Sequence, residues 1–193
     1  ASVLTATRTE GAAIVGTLTR VEVQPQPPST LDQLKSLYRR PTSISFPENN
    51  PYTPGKAALG KQLFFDTRLS GANLLSCASC HNPAYSWSDG QPKGVGHGMN
   101  VLDRRSPTIL NSAFGRVFMW DGRFASLEEQ ALGPIQAAVE MNLSLDDLVR
   151  RIGGVEKYVS ALAEIFPGEK ITAQNIAKAI ATYERTVISG RTR

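Results

Sequence analysis

The feature that constrains this sequence most is the segment at residues 76–81, which reads Ser-Cys-Ala-Ser-Cys-His. It contains both cysteines of the 193-residue chain and one of its two histidines. Two thiols on one turn can each add to a vinyl group of a porphyrin, and the histidine that follows can ligate its iron. C-x-x-C-H is the attachment signature of a c-type haem. The segment predicts one covalent haem c, held by Cys77 and Cys80, with His81 as iron ligand.

Other kinds of site also use neighbouring cysteines. A zinc site needs four ligands, and only His81 and His97 could complete it, with adjacent Cys80 and His81 poorly placed for one tetrahedral ion. A thioredoxin-like redox pair requires a strand-turn-helix setting, which residues 74–75 and 82–83 do not provide. A disulfide across two residues is strained and stabilises little. Haem attachment is favoured because it uses every cysteine.

The whole chain sets broader limits on location and partners. Its length indicates one domain with an extension, and no apolar run is long enough to cross a bilayer. Residues 1–20 do not resemble a signal peptide, because Arg8 and Glu10 interrupt any apolar core. A covalent haem c is built outside the cytoplasm, so a periplasmic location is expected. The net charge of +4 is spread along the chain; it suits an acidic protein surface but is no nucleic-acid footprint.

The pattern of residues divides the chain into an arm and a helical domain. Residues 17–23 alternate in the manner of a strand, and residues 24–28 are a proline-rich linker. We therefore expect an irregular or short-strand N-terminal arm and linker at residues 1–54. Residues 55–193 are expected to form an all-α, cytochrome c-like domain with long loops that wrap the haem.

Several helices and one long loop are predicted within that domain. A helix over residues 58–66 leads to the haem turn, and Leu63, Phe64 and Phe65 are expected to supply core. The glycine- and proline-rich stretch from His81 to about residue 107 predicts a functional loop. Capping boxes at residues 126–129 and 144–147 predict two helix starts.

The iron has a second axial position, and the sequence offers several ligands for it. His97 lies between glycines in residues 94–99, which would let the backbone approach a flat ligand. The alternatives are the thioethers of Met99, Met119 and Met141, which would favour a simple electron carrier. Residue type alone leaves the choice between them open.

Two further side chains have both a structural and a functional interpretation. Trp120 follows Phe118-Met119 and precedes a turn, so its indole is either core or a group at the haem edge. Glu140 follows an apolar run, so its carboxyl is either solvated at a helix end or held over a cofactor with a raised pKa.

From about Ala57 to Gly190 the chain resembles the first, peroxidatic domain of bacterial di-haem cytochrome c peroxidases and their MauG-type relatives. A set of motifs this long is far more specific than C-x-x-C-H alone. The matching segments are residues 63–70 (LFFDTRLS), 77–83 (CASCHNP), 96–98 (GHG), 105–108 (RSPT), 120–123 (WDGR), 129–131 (EQA), 133–134 (GP) and 140–141 (EM).

The resemblance implies a haem that reduces hydrogen peroxide to water. His81 would be the proximal ligand and His97 a distal ligand that leaves on activation. Glu140 would be the distal acid-base group with Gln130 beside it, and Trp120 would relay electrons between two haems. From their position, we expect Arg104 or Arg105 to hold haem propionates through charge-assisted hydrogen bonds.

The sequence departs from the family in two ways. The second C-x-x-C-H domain, which receives electrons from a donor such as a cytochrome c or a cupredoxin, does not occur in this chain. The partner domain is then expected on another chain or on a part of the protein outside this sequence. Arg105 stands where the family usually has an asparagine that helps to bind calcium. A cation cannot ligate a cation, so we expect that calcium site to be altered or absent.

The first functional hypothesis is therefore a cytochrome c peroxidase domain, with a homodimer possible. A MauG-type ferryl oxidase of a protein or organic substrate is the alternative within the family, and Gly96-His97-Gly98 favours the peroxidase. An electron-transfer c-type cytochrome, with a methionine-ligated iron, is the alternative from another class. A haem-bearing sensor or binding module that uses the N-terminal arm as its contact surface is a further one.

Overall fold

The computed structural model describes residues 2–5, 19–22, 30–39, 41 and 43–190 of the chain. The chain divides into two compact units, Ala1–Thr42 and Ser43–Arg193. In the first unit, β1 (Ser2–Thr5) pairs antiparallel with β2 (Thr19–Glu22), and helix α1 follows at Leu31–Leu37. The strand predicted at residues 17–23 overlaps β2, whereas the linker at residues 24–28 lies outside the described residues.

The second unit is helical in its described part, which confirms the all-α prediction. Short 3-10 turns and irregular loops join its helices. None of the described helices is long and apolar enough to cross a membrane. The helices are α2 (Pro54–Phe64), α3 (Cys77–Cys80), α4 (Leu127–Gln136), α5 (Leu145–Gly153), α6 (Glu156–Ile165) and α7 (Ala173–Thr186).

Helix α2 begins earlier than the sequence pattern indicates. Thr53 caps it by accepting a hydrogen bond from the backbone N–H of Lys56 at 3.1 Å, and Pro54 occupies the first turn, where its missing N–H costs nothing. Leu63 and Phe64 are fully buried, as predicted. Phe65 is 43% exposed, so its assignment to the core is wrong; it comes directly after the last residue of the helix and packs at the edge of the core, with its ring 5.5 Å from that of Phe64.

The core forms where α2 crosses α7. Gly60 allows the two helices to touch, because a Cβ at this position would lie 1.9 Å from the carbonyl oxygen of Ala179. The buried side chains come from all the long helices, and burial of each large one contributes about 1.5–3 kcal/mol. They include Leu59, Leu63, Phe64, Ile135, Leu148, Ile152, Leu162, Ile176 and Ile180.

A buried polar cluster fixes α4 against α7 and against the chain before α2. Arg185 donates two hydrogen bonds to Glu128, at 2.6 and 2.9 Å. Asn50 also donates to Glu128, at 2.6 Å, and accepts from the ammonium group of Lys56 at 2.9 Å. Burial opposes ionisation of Glu128, but these hydrogen bonds outweigh it and lower its pKa. The cluster therefore holds a charged pair inside the fold with its polar atoms satisfied.

The stretch after α3 is mostly irregular, as predicted. It contains 3-10 turns at Pro83–Tyr85 and His97–Met99. Isolated antiparallel bridges join Asn82 to Ser88 and Val95 to Val101. These local pairings fold the long loop into two small hairpin-like turns.

Candidate functional site

The two cysteines lie on the single turn of α3. The backbone N–H of His81 donates to the carbonyl oxygen of Cys77 at 2.9 Å, and Ser76 N–H donates to Ser79 Oγ at 3.0 Å, which closes the turn. Both thiols are free. Burial raises the pKa of Cys77 and that of Cys80, so both groups are neutral thiols in this environment.

His81 follows the turn and is oriented by a backbone carbonyl. Its Nδ1 lies 3.3 Å from the oxygen of Trp87, and a carbonyl can only accept, so Nδ1 carries the proton and Nε2 keeps its lone pair. Burial lowers the pKa of His81, which favours the neutral, ligating form. The imidazole is thus prepared to bind a metal through Nε2.

The carbonyl of Trp87 is positioned by the core. Its backbone has a left-handed φ of 61°, unusual for a bulky residue and typical of a functional constraint. The indole packs edge-on against Phe64 and Tyr183, with ring centroids 6.1 and 6.3 Å away. The α2–α7 core therefore sets the orientation of His81 through one carbonyl group.

A cavity of about 440 Å³ opens beside α3, within the usual size of a cofactor or ligand pocket. The structure brings most of the predicted site residues to this one cavity. Those lining it are Cys77, Cys80, His81, Arg104, Arg105, Trp120, Gln130 and Glu140.

The cavity fits a c-type haem. It offers two free thiols on one turn and an imidazole with an available nitrogen, which are the groups that such a haem requires. Among the described residues, the side-chain oxygens that are buried without a partner are Ser112 Oγ and Glu184 Oε2, and both residues line this cavity. Unpaired polar atoms in a wall indicate that a ligand or ordered water belongs there.

Glu140 brings a partly buried carboxyl to the cavity. It ends a turn after α4, in which its N–H donates to the carbonyl oxygen of Ala137 at 2.9 Å. Burial raises the pKa of Glu140, while the positive charge of Arg123 opposes the shift. A raised pKa makes the protonated carboxyl more available, so the group is better suited to give a proton as well as to take one.

Gln130 and Trp120 are each held by a neighbour. The amide Nε2 of Gln130 lies 3.6 Å from the sulfur of Met119. The indole N–H of Trp120 donates to the carbonyl oxygen of Arg105 at 2.9 Å, and the residue is 59% exposed. Trp120 is therefore not core; its ring borders the cavity and also faces solvent. Arg104 and Arg105 are exposed side chains beside it.

The structure places His97 differently from the other predicted ligands. His97, which is a described residue, does not line the cavity. Its backbone N–H donates to the carbonyl oxygens of Glu140 and Val139, at 2.8 and 3.1 Å. A Cβ on Gly96 would lie 2.0 Å from Val139 O, so this glycine serves contact with the Glu140 segment rather than with a flat ligand. Ligation by His97 stays a prediction.

Of the three methionines offered as alternative ligands, two reach the cavity. Met141 is buried and Met119 is partly buried beside Gln130, whereas Met99 is 80% exposed and lies outside the lining. Sequence reasoning missed Ser112 and Glu184. The signal for Glu184 was its spacing of four residues from Ile180 on a helix.

Comparison with known proteins agrees with this geometry. The family model described as "Di-haem cytochrome c peroxidase" matches residues 54–193. The methylamine utilization protein MauG of Methylorubrum extorquens is 50% identical over 161 residues, covering 83% of this chain and 46% of that protein. Cytochrome c551 peroxidase of Pseudomonas aeruginosa is 38% identical over 161 residues, covering 82% and 46%.

Solved structures of related proteins also resemble this chain in fold. A MauG-like protein associated with microbial copper homeostasis superposes with a TM-score of 0.71 at 32% identity, over 79% of this chain and 47% of that one. The diheme peroxidase BthA from Burkholderia thailandensis gives a TM-score of 0.62 at 29% identity, over 70% and 39%. The chain spans about half the length of the curated relatives it matches. By sequence, fold and haem-attachment site, this chain belongs to the di-haem cytochrome c peroxidase family of oxidoreductases, whose members carry haem c and a second haem domain.

Proposed function

We propose that this chain is the peroxide-reducing domain of its protein and converts hydrogen peroxide to water. The observation that supports the proposal best is the position of Glu140. Its partly buried carboxyl lines the same cavity as the two thiols and His81, and burial raises its pKa. The shared cavity supports an acid-base role for Glu140 toward a substrate of a haem held by those residues.

In this reaction the side chains of the protein transfer protons. A bound haem supplies the redox chemistry that cleaves the oxygen–oxygen bond. Glu140 takes a proton from one oxygen of hydrogen peroxide and returns it to the other, which leaves as water. With two electrons and two protons taken up, one peroxide gives two waters. Gln130 lines the same cavity as Glu140, and His81 would hold the cofactor through Nε2.

Electrons reach the cavity past Trp120 in this proposal. Its exposed indole borders the cavity, so one edge can contact the second haem domain. The electron donor would be a small protein such as a cytochrome c or a cupredoxin, and the net charge of +4 suits an acidic donor surface. A periplasmic location belongs to the same proposal, since a covalent haem c is built outside the cytoplasm, and so does a homodimer.

A second candidate function is MauG-type oxidation of a protein or organic substrate. The observation in its favour is the higher identity to MauG, 50%, than to the cytochrome c551 peroxidase, 38%. Both functions use the same cavity and differ in where the two electrons come from. A peroxidase takes them from a donor protein, and a MauG-type enzyme takes them from its substrate.

The test replaces Glu140 with glutamine in the haem-loaded chain. Peroxide consumption with a chemical electron donor should slow by about two to four orders of magnitude, because general acid-base catalysis contributes that much. The matched control is Glu164→Gln, an exposed carboxylate on α6 outside the cavity, which should leave the rate unchanged. Normal turnover in Glu140→Gln would remove this residue from the mechanism.

A measurement of electron stoichiometry separates the two candidate functions. A peroxidase should oxidise two equivalents of a reduced one-electron donor protein per peroxide. If small donor proteins stay reduced while a larger protein substrate loses two electrons per peroxide, the MauG-type function holds instead.

A further inference from the structure

Glu184 is a carboxyl group in the cavity that the peroxide chemistry does not use. It lies in the last turn of α7, four residues after Ile180, and both side chains line the cavity. The residue is 5% exposed. A carboxyl this deeply buried is normally paired or hydrogen-bonded, so its neighbours decide whether it carries a charge.

The neighbouring cation on α7, Arg185, pairs with the carboxylate of Glu128 instead of with Glu184. Arg185 donates from Nη1 and Nη2 to the two oxygens of Glu128, at 2.6 and 2.9 Å. Within the described part of the chain, Glu184 Oε2 is buried and has no hydrogen-bond partner. Glu184 is thus deprived of the ion pair that would normally stabilise a buried carboxylate.

A second unpaired oxygen lies on the wall of the same cavity. Ser112 Oγ is buried without a partner in the described structure, and Ser112 also lines the cavity. Its segment packs beside the end of α7, where Asn111 N–H donates to the carbonyl oxygen of Val187 at 2.9 Å. Two such oxygens on adjacent elements provide a place for ordered water, and water there would connect the Glu184 carboxyl to a proton source.

The charged and titratable groups that face Glu184 come from three helices. The thiol of Cys77 faces it from α3, Glu128 from α4, and Tyr183 and Arg185 adjoin it on α7 itself. Burial, the largest cause, raises the pKa of Glu184 to about 8; Glu128 adds to the shift and Arg185 opposes it. Of the other titratable or charged side chains at the cavity, Cys80, His81 and Glu140 are partly buried, whereas the rest are exposed: Asp103, Arg104, Arg105, Asp121 and Arg123.

We propose that Glu184 is a redox-linked proton site, which takes up a proton from solvent when the haem iron gains an electron and releases it when the iron loses one. Positive charge added in the cavity favours the carboxylate, and its removal favours the acid. The electron comes from a one-electron reductant, so one electron and one proton enter together and charge balances. By linkage, the iron is easier to reduce when Glu184 is protonated.

The inference rests on the bound haem but not on the proposed peroxide reaction. Glu140 serves peroxide, whereas Glu184 serves the electron that arrives beforehand. Variants at these two positions therefore separate a failure of one proposal from a failure of the other.

The experiment measures the midpoint potential of the haem-loaded chain as a function of pH by spectroelectrochemistry. In the wild-type chain the potential should fall as pH rises through the neutral and mildly alkaline range, with a slope that approaches one proton per electron. Glu184→Gln should abolish this slope, because an amide of the same shape cannot titrate. Glu140→Gln should keep the slope while peroxide consumption slows.

Three results would overturn the proposal: a wild-type potential that does not change with pH in this range, a slope in Glu184→Gln equal to that of wild type, or a slope lost in Glu140→Gln instead. Two further measurements keep the test decisive if Glu184→Gln fails to fold. Glu184→Asp keeps a titratable group and should keep the slope in a displaced pH range; a flat profile would count against the proposal. Reduced-minus-oxidised infrared spectra of the wild-type chain should show a protonated carboxyl gained on reduction, and absence of that band would contradict it.

Discussion

The carboxyl of Asp66 shows how single side chains stabilise the framework of the site. It lies just after α2 and accepts hydrogen bonds from Tyr158 at 2.5 Å and from the guanidinium of Arg68 at 2.9 and 3.0 Å. Burial opposes its ionisation, but the hydrogen bonds from Arg68 and Tyr158 outweigh it and lower the pKa of Asp66. One carboxylate thereby joins α2 to α6.

Tyr158→Phe should lower the free energy of unfolding by about 1.5–3 kcal/mol near neutral pH, the usual contribution of a hydrogen bond to a charged group. Because Asp66 has a lowered pKa when folded, its contribution is present above its ordinary pKa of 3.8 and is lost as pH falls through the lower folded value. The difference between variant and wild type should therefore shrink in acid. Urea unfolding at several pH values measures it.

The matched control for this prediction is Tyr52→Phe, since the residue is 47% exposed and loses only a solvated hydroxyl. We expect a change within about 0.5 kcal/mol. An equal loss of stability in the two variants, or a Tyr158→Phe effect that grows in acid, would show that the Asp66 hydrogen bond is not its cause.

The sequence alone identifies those functional residues whose partners lie within a few positions along the chain. Cys77, Cys80 and His81 are recognised because one turn of chain contains the whole attachment signature, and the structure closes that turn as expected. Glu184 could not be found in this way, because its role depends on which face of α7 meets the cavity. For His97, the glycine before it is explained by close contact with Val139 O, so this glycine does not bear on ligation, which stays a prediction.

Among the secondary-structure elements, the crossing of α2 and α7 positions the site. Gly60 gives α2 its close approach to Ala179 and Tyr183, while Tyr183 packs on Trp87, whose carbonyl orients His81. The same helix α7 brings Glu184 to the cavity. A change in the distance between these helices should therefore affect both stability and haem geometry.

Gly60→Ala tests this crossing. The new Cβ would lie 1.9 Å from Ala179 O and 2.9 Å from Tyr183 Cβ, so the helices must separate. We expect a loss of about 1–3 kcal/mol or more, as for other overpacked interiors, measured as a lowered midpoint of thermal unfolding in the haem-loaded chain.

The control is Gly153→Ala at the end of α5, where an added Cβ meets nothing within 4 Å. That substitution should be neutral or should stabilise the helix by up to about 1 kcal/mol. If Gly60→Ala behaved like Gly153→Ala, the close contact between α2 and α7 would not be a determinant of the fold.

Helix starts can be predicted from the sequence where a capping residue marks them. Ser126 and Ser144 accept hydrogen bonds from Glu129 and Asp147 backbone N–H groups, at 3.2 and 3.1 Å, and so confirm two predicted helix starts. The sequence pattern begins helix α2 too late because the Thr53-Pro54 step is also a turn signal, although proline is favoured in the first turn of a helix. Whether such a segment forms a turn or a helix start depends on its packing against the rest of the fold, which a single sequence does not show.

The chain corresponds to 46% of the length of two of the curated relatives that it matches. The attachment signature and the other family motifs predicted the family, and the family model over residues 54–193 confirms it. A relay role for Trp120 needs a second haem, and this sequence holds one attachment signature, so that role stays a prediction. The sequence therefore predicts the haem-attachment residues, which lie on one turn, but not the redox partner, whose contacts involve a second domain.

We propose that this cavity holds a c-type haem whose iron becomes open to peroxide. Optical absorption spectra of the haem-loaded chain test this directly, because they distinguish low-spin from high-spin iron in both the oxidised and the reduced state; they are recorded before and after mild reduction and again after addition of hydrogen peroxide. We predict a low-spin signal that gives way to a high-spin, open iron, followed by an oxidised species within one turnover of peroxide. An iron that stays low-spin throughout and does not react with peroxide would identify an electron-transfer cytochrome and contradict the account.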